Sequence, residues 1–131
     1  MLRIQQTQLA HAAALEELQR LCYPSLDPSH LLRREHIESH IAIFPAGQHV
    51  ALVDDVIVAM SSTLRHNIDF THAQHSFDEM IAGGYFTCHN PQGEWLYGAD
   101  MSTHPQYRNR GIATALYDAR KALIKQLNLR G

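Results

Sequence analysis

The stretch that decides the fold runs from residue 103 to residue 116 and reads THPQYRNRGIATAL. The segment before it, Trp95 to Thr103, reads as a strand and is closed by His104-Pro105. A short basic turn with Arg108 and Arg110 follows. A helix then opens at Gly111 and runs to Leu127, with Ile112, Leu116, Ala119, Leu123 and Leu127 along one stripe. A helix N-terminus leaves backbone N–H groups without intrahelical partners and carries roughly half a positive charge, which suits phosphate. Gly111 and Ala113 let a pyrophosphate approach the backbone, and Arg108 and Arg110 add charge-assisted donors. The segment is neither a GxxxxGK[ST] loop nor a GxGxxG turn. From these residues alone, a phosphate site and a plain helix start beside two solvated arginines both stay open.

Upstream, Leu2 to Gln6 alternates as a short strand, and Leu9 to Cys22 forms an amphipathic helix stopped by Tyr23-Pro24. After the turn-rich connector PSLDPSHL, a second helix is expected from Ser29 or His30 to Phe44, ended by Pro45-Ala46-Gly47. Two tightly joined strands come next, His49 to Val53 and Val56 to Arg65, with Asp54-Asp55 as the turn. His66 to Glu94 is the least regular part, punctuated by Gly83-Gly84, Asn90-Pro91 and Gly93, with a short helix expected at Phe77 to Ile81. This order predicts an α+β domain in which helices lie against a mostly antiparallel sheet.

At 131 residues the chain makes one domain, taken as residues 1–131, with room for a core. Its formal net charge of −2 gives no basic field to draw nucleic acid or anionic lipid. Two cysteines, Cys22 and Cys88, neither in a CxxC pair, argue against a disulfide scaffold or a zinc ribbon and suit a reducing compartment. There is no signal-like h-region and no apolar run near the ~20 residues of a membrane span, so the cytoplasm is the expected location.

Residues 108 to 113, Arg-Asn-Arg-Gly-Ile-Ala, resemble the GNAT N-acetyltransferase pattern Arg/Gln-x-x-Gly-x-Gly/Ala, and the preceding His-Pro-x-Tyr-Arg is typical of the same motif. The order of elements agrees over nearly the whole chain. The resemblance implies that Arg108, Asn109, Arg110, Gly111, Ile112 and Ala113 hold the pyrophosphate of acetyl-CoA. It implies equally that Met101, Ser102 and Thr103 pair through their backbone with the pantetheine arm. Asn109 departs from the glycine frequent there, at a variable position. The family fold continues with a strand, a helix and often a last strand, and a tyrosine common as general acid falls in that later part. The chain is therefore expected to be a fragment of a longer protein, or to complete its sheet with a second copy through an open edge.

Acylation of an amine needs a base to take a proton from the ammonium. Asp100 is a charge within the otherwise apolar WLYGADM, beside Gly98, which suggests a bulge. A partly buried carboxylate with a raised pKa is one expectation for it; pairing with an arginine or capping backbone is the other. Glu94, at the strand's edge, is a second candidate, and Tyr97 is taken as packing or acceptor wall. His66, His72, His75 and His89 in the long connection lack a spaced partner set, so no metal is expected. Phe70, Phe77, Tyr85 and Phe86 are expected to shape an acceptor wall. The function expected is transfer of an acetyl or short acyl group from acyl-CoA to an unidentified primary amine in a ternary complex. The alternatives are a non-catalytic acyl-CoA-binding or regulatory module, a fragment of a multidomain enzyme, and a nucleotide-phosphate binder unrelated to CoA.

Overall fold

The computed structural model describes residues 1–27, 31–67 and 84–131. Strand β1 (Leu2–Gln6) is followed by α1 (Ala12–Cys22), α2 (Arg34–Ile43), β2 (Gln48–Val53), β3 (Val56–His66), β4 (Trp95–Thr103) and α3 (Ile112–Gln126). The four strands form one sheet in the order β1-β2-β3-β4, with every neighbouring pair antiparallel. The β2–β3 hairpin turns on Asp54 and Asp55, at φ 51° and 67°. Positive φ at both central residues is what a two-residue hairpin turn requires, and aspartate tolerates it.

Side-chain alternation along the strands builds a core on each face of the sheet. Val50, Leu52 and Met60 meet Ala12, Leu15, Leu18 and Cys22 of α1 and Ile37 of α2. On the opposite face Ala51, Val58 and Ala59 receive Ile112 and Leu116 of α3. Helices thus flank both faces of the sheet, the mixed α+β layering expected.

Two helix starts differ from expectation for local reasons. Gln8 is extended and its N–H donates to His11 Nδ1 at 3.0 Å, so Leu9–His11 forms a 3-10 turn and α1 begins at Ala12. The expected start of the second helix, Ser29 or His30, lies outside the described residues. Its α-helix begins only at Arg34, because Arg33 is extended (φ −101°, ψ 170°) and its N–H donates to His36 Nδ1 at 3.0 Å. Leu31 and Leu32 continue the apolar spacing without continuing the helix. The short helix expected at Phe77 to Ile81, with Phe70, His72 and His75, lies outside the described residues.

Of the aromatics expected to shape an acceptor wall, Tyr85 is exposed and Phe86 is not. Phe86 is fully buried with Leu64, and packs with Ile43, Tyr97 and Ala99. Three side chains of the α2 segment, at helical spacing, meet this loop: His36 against Tyr85, His40 stacked on Phe86 at 3.6 Å, and Phe44 stacked on His89 at 4.5 Å. His40 Nε2 lies 2.6 Å from the Gly84 carbonyl, which can only accept, so Nε2 carries the proton. Its Nδ1 is buried with no partner among the described residues. A second proton there would have no acceptor, and burial holds the His40 pKa down at about 4.

Strand β4 carries a bulge. Ser62 pairs with Asp100 and Thr63 with Gly98, which leaves Ala99 as the extra residue. A Cβ on Gly98 would lie 2.7 Å from Arg120 Nη1. Arg120 crosses from α3 to donate through Nε to Ser61 Oγ and through Nη2 to the Asp100 carbonyl, both at 2.6 Å. Gly98→Ala is expected to push the guanidinium off these acceptors and cost ~1–2 kcal/mol, read as a lower urea midpoint at unchanged slope.

Candidate active site

The end of β4, the following turn and the start of α3 enclose an open cleft of about 430 Å³. Its lining includes Met101, Ser102 and Thr103 from β4 and Arg108, Asn109, Gly111, Ile112, Ala113 and Thr114 from the turn and helix. Tyr23 closes it from the end of α1. Eight of the nine residues expected to hold the cofactor thus share one cavity. The ninth, Arg110, lies outside that lining, with its guanidinium 5.1 Å from the centre of the Tyr107 ring.

The turn is shaped by its own sequence. Pro105–Tyr107 forms a 3-10 turn whose first donor is taken by His104, Nδ1 accepting from the Gln106 N–H at 3.1 Å. Asn109 and Gly111 are left-handed, at φ 65° and 76°. That conformation favours glycine at position 109, and asparagine is among the few other residues that tolerate it. Gly111 is the N-cap of α3, whose first turn contains no acidic residue. The N–H groups of Ile112, Ala113 and Thr114 therefore begin a helix with no intrahelical acceptor, at the cleft. The arrangement can hold a phosphate by backbone donors, a helix dipole and Arg108.

The β4 side offers a different chemistry. The Thr103 carbonyl points away from β3, accepting from Cys22 Sγ at 3.2 Å and from Arg108 Nε at 3.2 Å. The next N–H, of His104, points to β3 and donates to Val58 at 2.7 Å. Backbone direction alternates along a strand, so the Met101 and Thr103 main chains share the outer edge. An extended amide-bearing arm can pair there.

Of the acid–base candidates, Asp100 sits on the α1 face of β4 and its side chain is held in a polar network. Oδ2 accepts from Ser102 Oγ at 2.7 Å and from Gln19 Nε2 at 3.0 Å. Burial pushes its pKa up to about 6, against the opposing pull of those two hydrogen bonds and of Arg120. Glu94 stands at the other end of β4, exposed, ion-paired with Arg130 at 2.9 Å. The geometry does not bring it to the cleft. Near it the tail runs beside the edge of β4, the Arg130 N–H donating to the Glu94 carbonyl and the Leu96 N–H to the Gly131 carbonyl, both at 2.7 Å.

Three residues of the network went unmarked in the sequence: Gln19, Tyr23 and Arg120. The signal for two of them is positional. Gln19 lies among Leu15, Leu18 and Cys22 on the buried face of α1, and Arg120 between Leu116 and Leu123 on that of α3. A polar side chain on an apolar stripe has a partner to meet. Among the described residues no group of three or more His, Cys, Asp or Glu side chains could hold a metal ion, and no helix is long and apolar enough to cross a membrane.

Two Bacillus subtilis (strain 168) proteins are similar in sequence. One, named a probable hydrolase, YhcX, is 39% identical over 114 residues, 87% of this chain and 22% of that protein. The other, an uncharacterized N-acetyltransferase, YkwB, is 33% identical over 99 residues, 75% of this chain and 44% of that protein. The chain thus spans less than half the length of either. Among solved structures, a GphF GNAT-like decarboxylase in complex with isobutyryl-CoA aligns at TM-score 0.72 and 22% identity, covering 88% of this chain and 55% of that one. A GNAT family acetyltransferase from Brucella melitensis in complex with acetyl-CoA aligns at 0.64 and 15%, covering 100% and 73%. Both share this fold. The model of the acetyltransferase (GNAT) family matches residues 12–131, and the chain belongs to that family.

Proposed function

We propose that the chain binds an acyl-CoA with its pyrophosphate on Arg108 to Ala113 and its pantetheine along Met101 to Thr103, and transfers the acyl group to a primary amine. One observation carries this proposal: the cleft places the outer backbone edge of β4 and the unpaired amides of α3 on the same cavity. A phosphate-bearing thioester with an extended amide arm meets both at once, whereas a nucleotide triphosphate has no use for the strand edge. The amine attacks the thioester directly in a ternary complex. Backbone N–H groups near Met101 to Thr103 stabilise the oxyanion, and Asp100 takes up the proton. Residues 1–131 act as one acyl-CoA-binding unit.

A second reading has its own support. The chain matches 22% of a relative named a probable hydrolase, so an equivalent unit can serve there as an acyl-CoA-binding or regulatory module beside another activity. One assay separates the two. With acetyl-CoA and a panel of primary amines, the release of free CoA thiol and the mass of the acetylated amine are followed together. Acyl transfer predicts both, in proportion to added amine. Binding of acetyl-CoA with no amine-dependent thiol release across the panel would favour the module.

A further inference from the structure

Asp100 does not line the cleft; Ser102 and Tyr23 do. With Asp100 ionised, the hydrogen bonds between them run in one direction. Ser102 has one hydroxyl proton and donates it to Asp100 Oδ2 at 2.7 Å. Its oxygen is then an acceptor, for Gln19 Nε2 at 3.0 Å and for the Tyr23 hydroxyl at 3.2 Å. Tyr23 is the donor in that pair, so the two hydroxyls form a one-way chain from the cleft to the carboxylate. Gln19 donates to both Asp100 and Ser102, which explains a glutamine, only 2% exposed, on an apolar helix face.

We propose that Tyr23, Ser102 and Asp100 form a proton wire in which the Tyr23 hydroxyl meets the reacting groups and Asp100 is the internal acceptor. This rests on the acyl-transfer function proposed above. An ammonium that becomes an amide loses two protons, one to solvent before attack and one during it. As the nitrogen–carbon bond forms, the Tyr23 oxygen takes the second proton, its own passes to Ser102, and that of Ser102 passes to Asp100. When the carbon–sulfur bond breaks, the same hops run in reverse and deliver the proton to the departing CoA sulfur. The wire ends where it began, and one proton is released overall.

The surroundings suit this. Asp100 is faced by Gln19 and Cys22 of α1, by Tyr23 just beyond that helix, by Ser102 on its own strand and by Arg120 from α3. Arg108 lies near Tyr23 and Cys22. Arg120 fixes the Asp100 backbone at the bulge and makes no side-chain pair with its carboxylate, which leaves the carboxylate free to change charge.

The test has two arms, each with Tyr23→Phe, Ser102→Ala, Ser102→Thr and Asp100→Asn. In the first, kcat/KM for acetyl-CoA with 1,5-diaminopentane is followed from acid to alkaline pH. The wild type should gain rate as pH rises through a midpoint of about 6. Tyr23→Phe and Ser102→Ala should each lose roughly 10²-fold in kcat with little change in KM for acetyl-CoA, and Ser102→Thr should restore most of it. Asp100→Asn should lose the acid limb altogether, a change that a merely structural role would not produce. In the second arm, tyrosine labelled with ¹³C at Cζ is observed by NMR, with Tyr23 assigned from its absence in Tyr23→Phe. Its resonance should titrate with Asp100 and stop doing so in Asp100→Asn and Ser102→Ala. A Tyr23 signal that stays flat while Asp100 titrates overturns the wire, as does Tyr23→Phe with wild-type kinetics. A wild type that binds acetyl-CoA but acetylates no amine overturns the acyl-transfer function and the catalytic use, while the NMR arm decides separately whether the wire exists.

Discussion

Gly111→Glu is expected to abolish stabilisation by acyl-CoA while leaving the ligand-free protein close to wild-type stability. Acetyl-CoA or CoA at about a hundred times its Kd should add ~2.7 kcal/mol to the wild type, or roughly 10 °C in Tm for a domain of this size. ATP at the same concentration should not reproduce the shift, because it offers nothing to the β4 edge. The substitution separates site from fold for a reason visible in the geometry. A Cβ at position 111 meets nothing within 4 Å, so there is no clash. The left-handed backbone at φ 76° makes a side chain there cost about 1 kcal/mol, while a carboxylate at a helix start returns a similar amount through the dipole. What changes is the ligand site: the new carboxylate occupies the unpaired amides and repels pyrophosphate. Gly111→Ala carries the same backbone cost without the charge and should keep binding within several-fold. A full acyl-CoA shift in Gly111→Glu would show that the pyrophosphate lies elsewhere.

The second large effect concerns pH, where two buried groups pull in opposite directions. Asp100 has a native pKa of about 6 against 3.8 ordinarily, so the folded state binds the extra proton. The stability this group contributes is fully present below 3.8 and is lost as pH rises through 6. His40, at about 4 against 6.5, does the reverse: its contribution is full above 6.5 and is lost as pH falls through 4. Each shift of about two units corresponds to ~3 kcal/mol at full value. Within the overlap the two slopes oppose, so the wild type should show a muted profile, tilted toward acid lability by His36, His49 and His89, which burial also lowers. Asp100→Asn should gain stability above pH 6, by about 1–2 kcal/mol because an amide accepts less well from two donors, and converge on the wild type near pH 4. His40→Gln keeps a donor for the Gly84 carbonyl without the titration and should flatten the acid limb. Urea midpoints between pH 4 and 8 decide it. Parallel curves for all three proteins would mean that neither group is perturbed in the folded state.

Most of the fold was open to reading because its punctuation is local. Pro105 and Gly111 bracket the turn before α3, Asp54-Asp55 marks the hairpin, and β1 and β4 have the limits their sequences suggest. The side of the cleft proposed to hold the acyl-CoA was legible for the same reason, as one contiguous stretch supplies nearly all of it. The acid–base side was not. Asp100, Ser102, Gln19 and Tyr23 meet only through packing of α1 against β4, some eighty residues apart in sequence. Asp100 stood out as a charge in an apolar strand. Tyr23 reads as no more than a helix stop before Pro24, although it lines the cleft. The start of α2 was misplaced because Leu31 and Leu32 keep a helical spacing of apolar residues while the chain stays extended at Arg33.

Cys22 carries a hazard that the structure answers. Its thiol lies behind Thr103, next in sequence to Tyr23 of a cleft proposed to hold a thioester, and thiol–thioester exchange proceeds through the thiolate. Burial pushes the Cys22 pKa up, and its proton is engaged by the Thr103 carbonyl at 3.2 Å. That thiol is thus kept protonated and turned into the strand. On the proposed function, the acyl group is thereby withheld from this thiol and left for the acceptor.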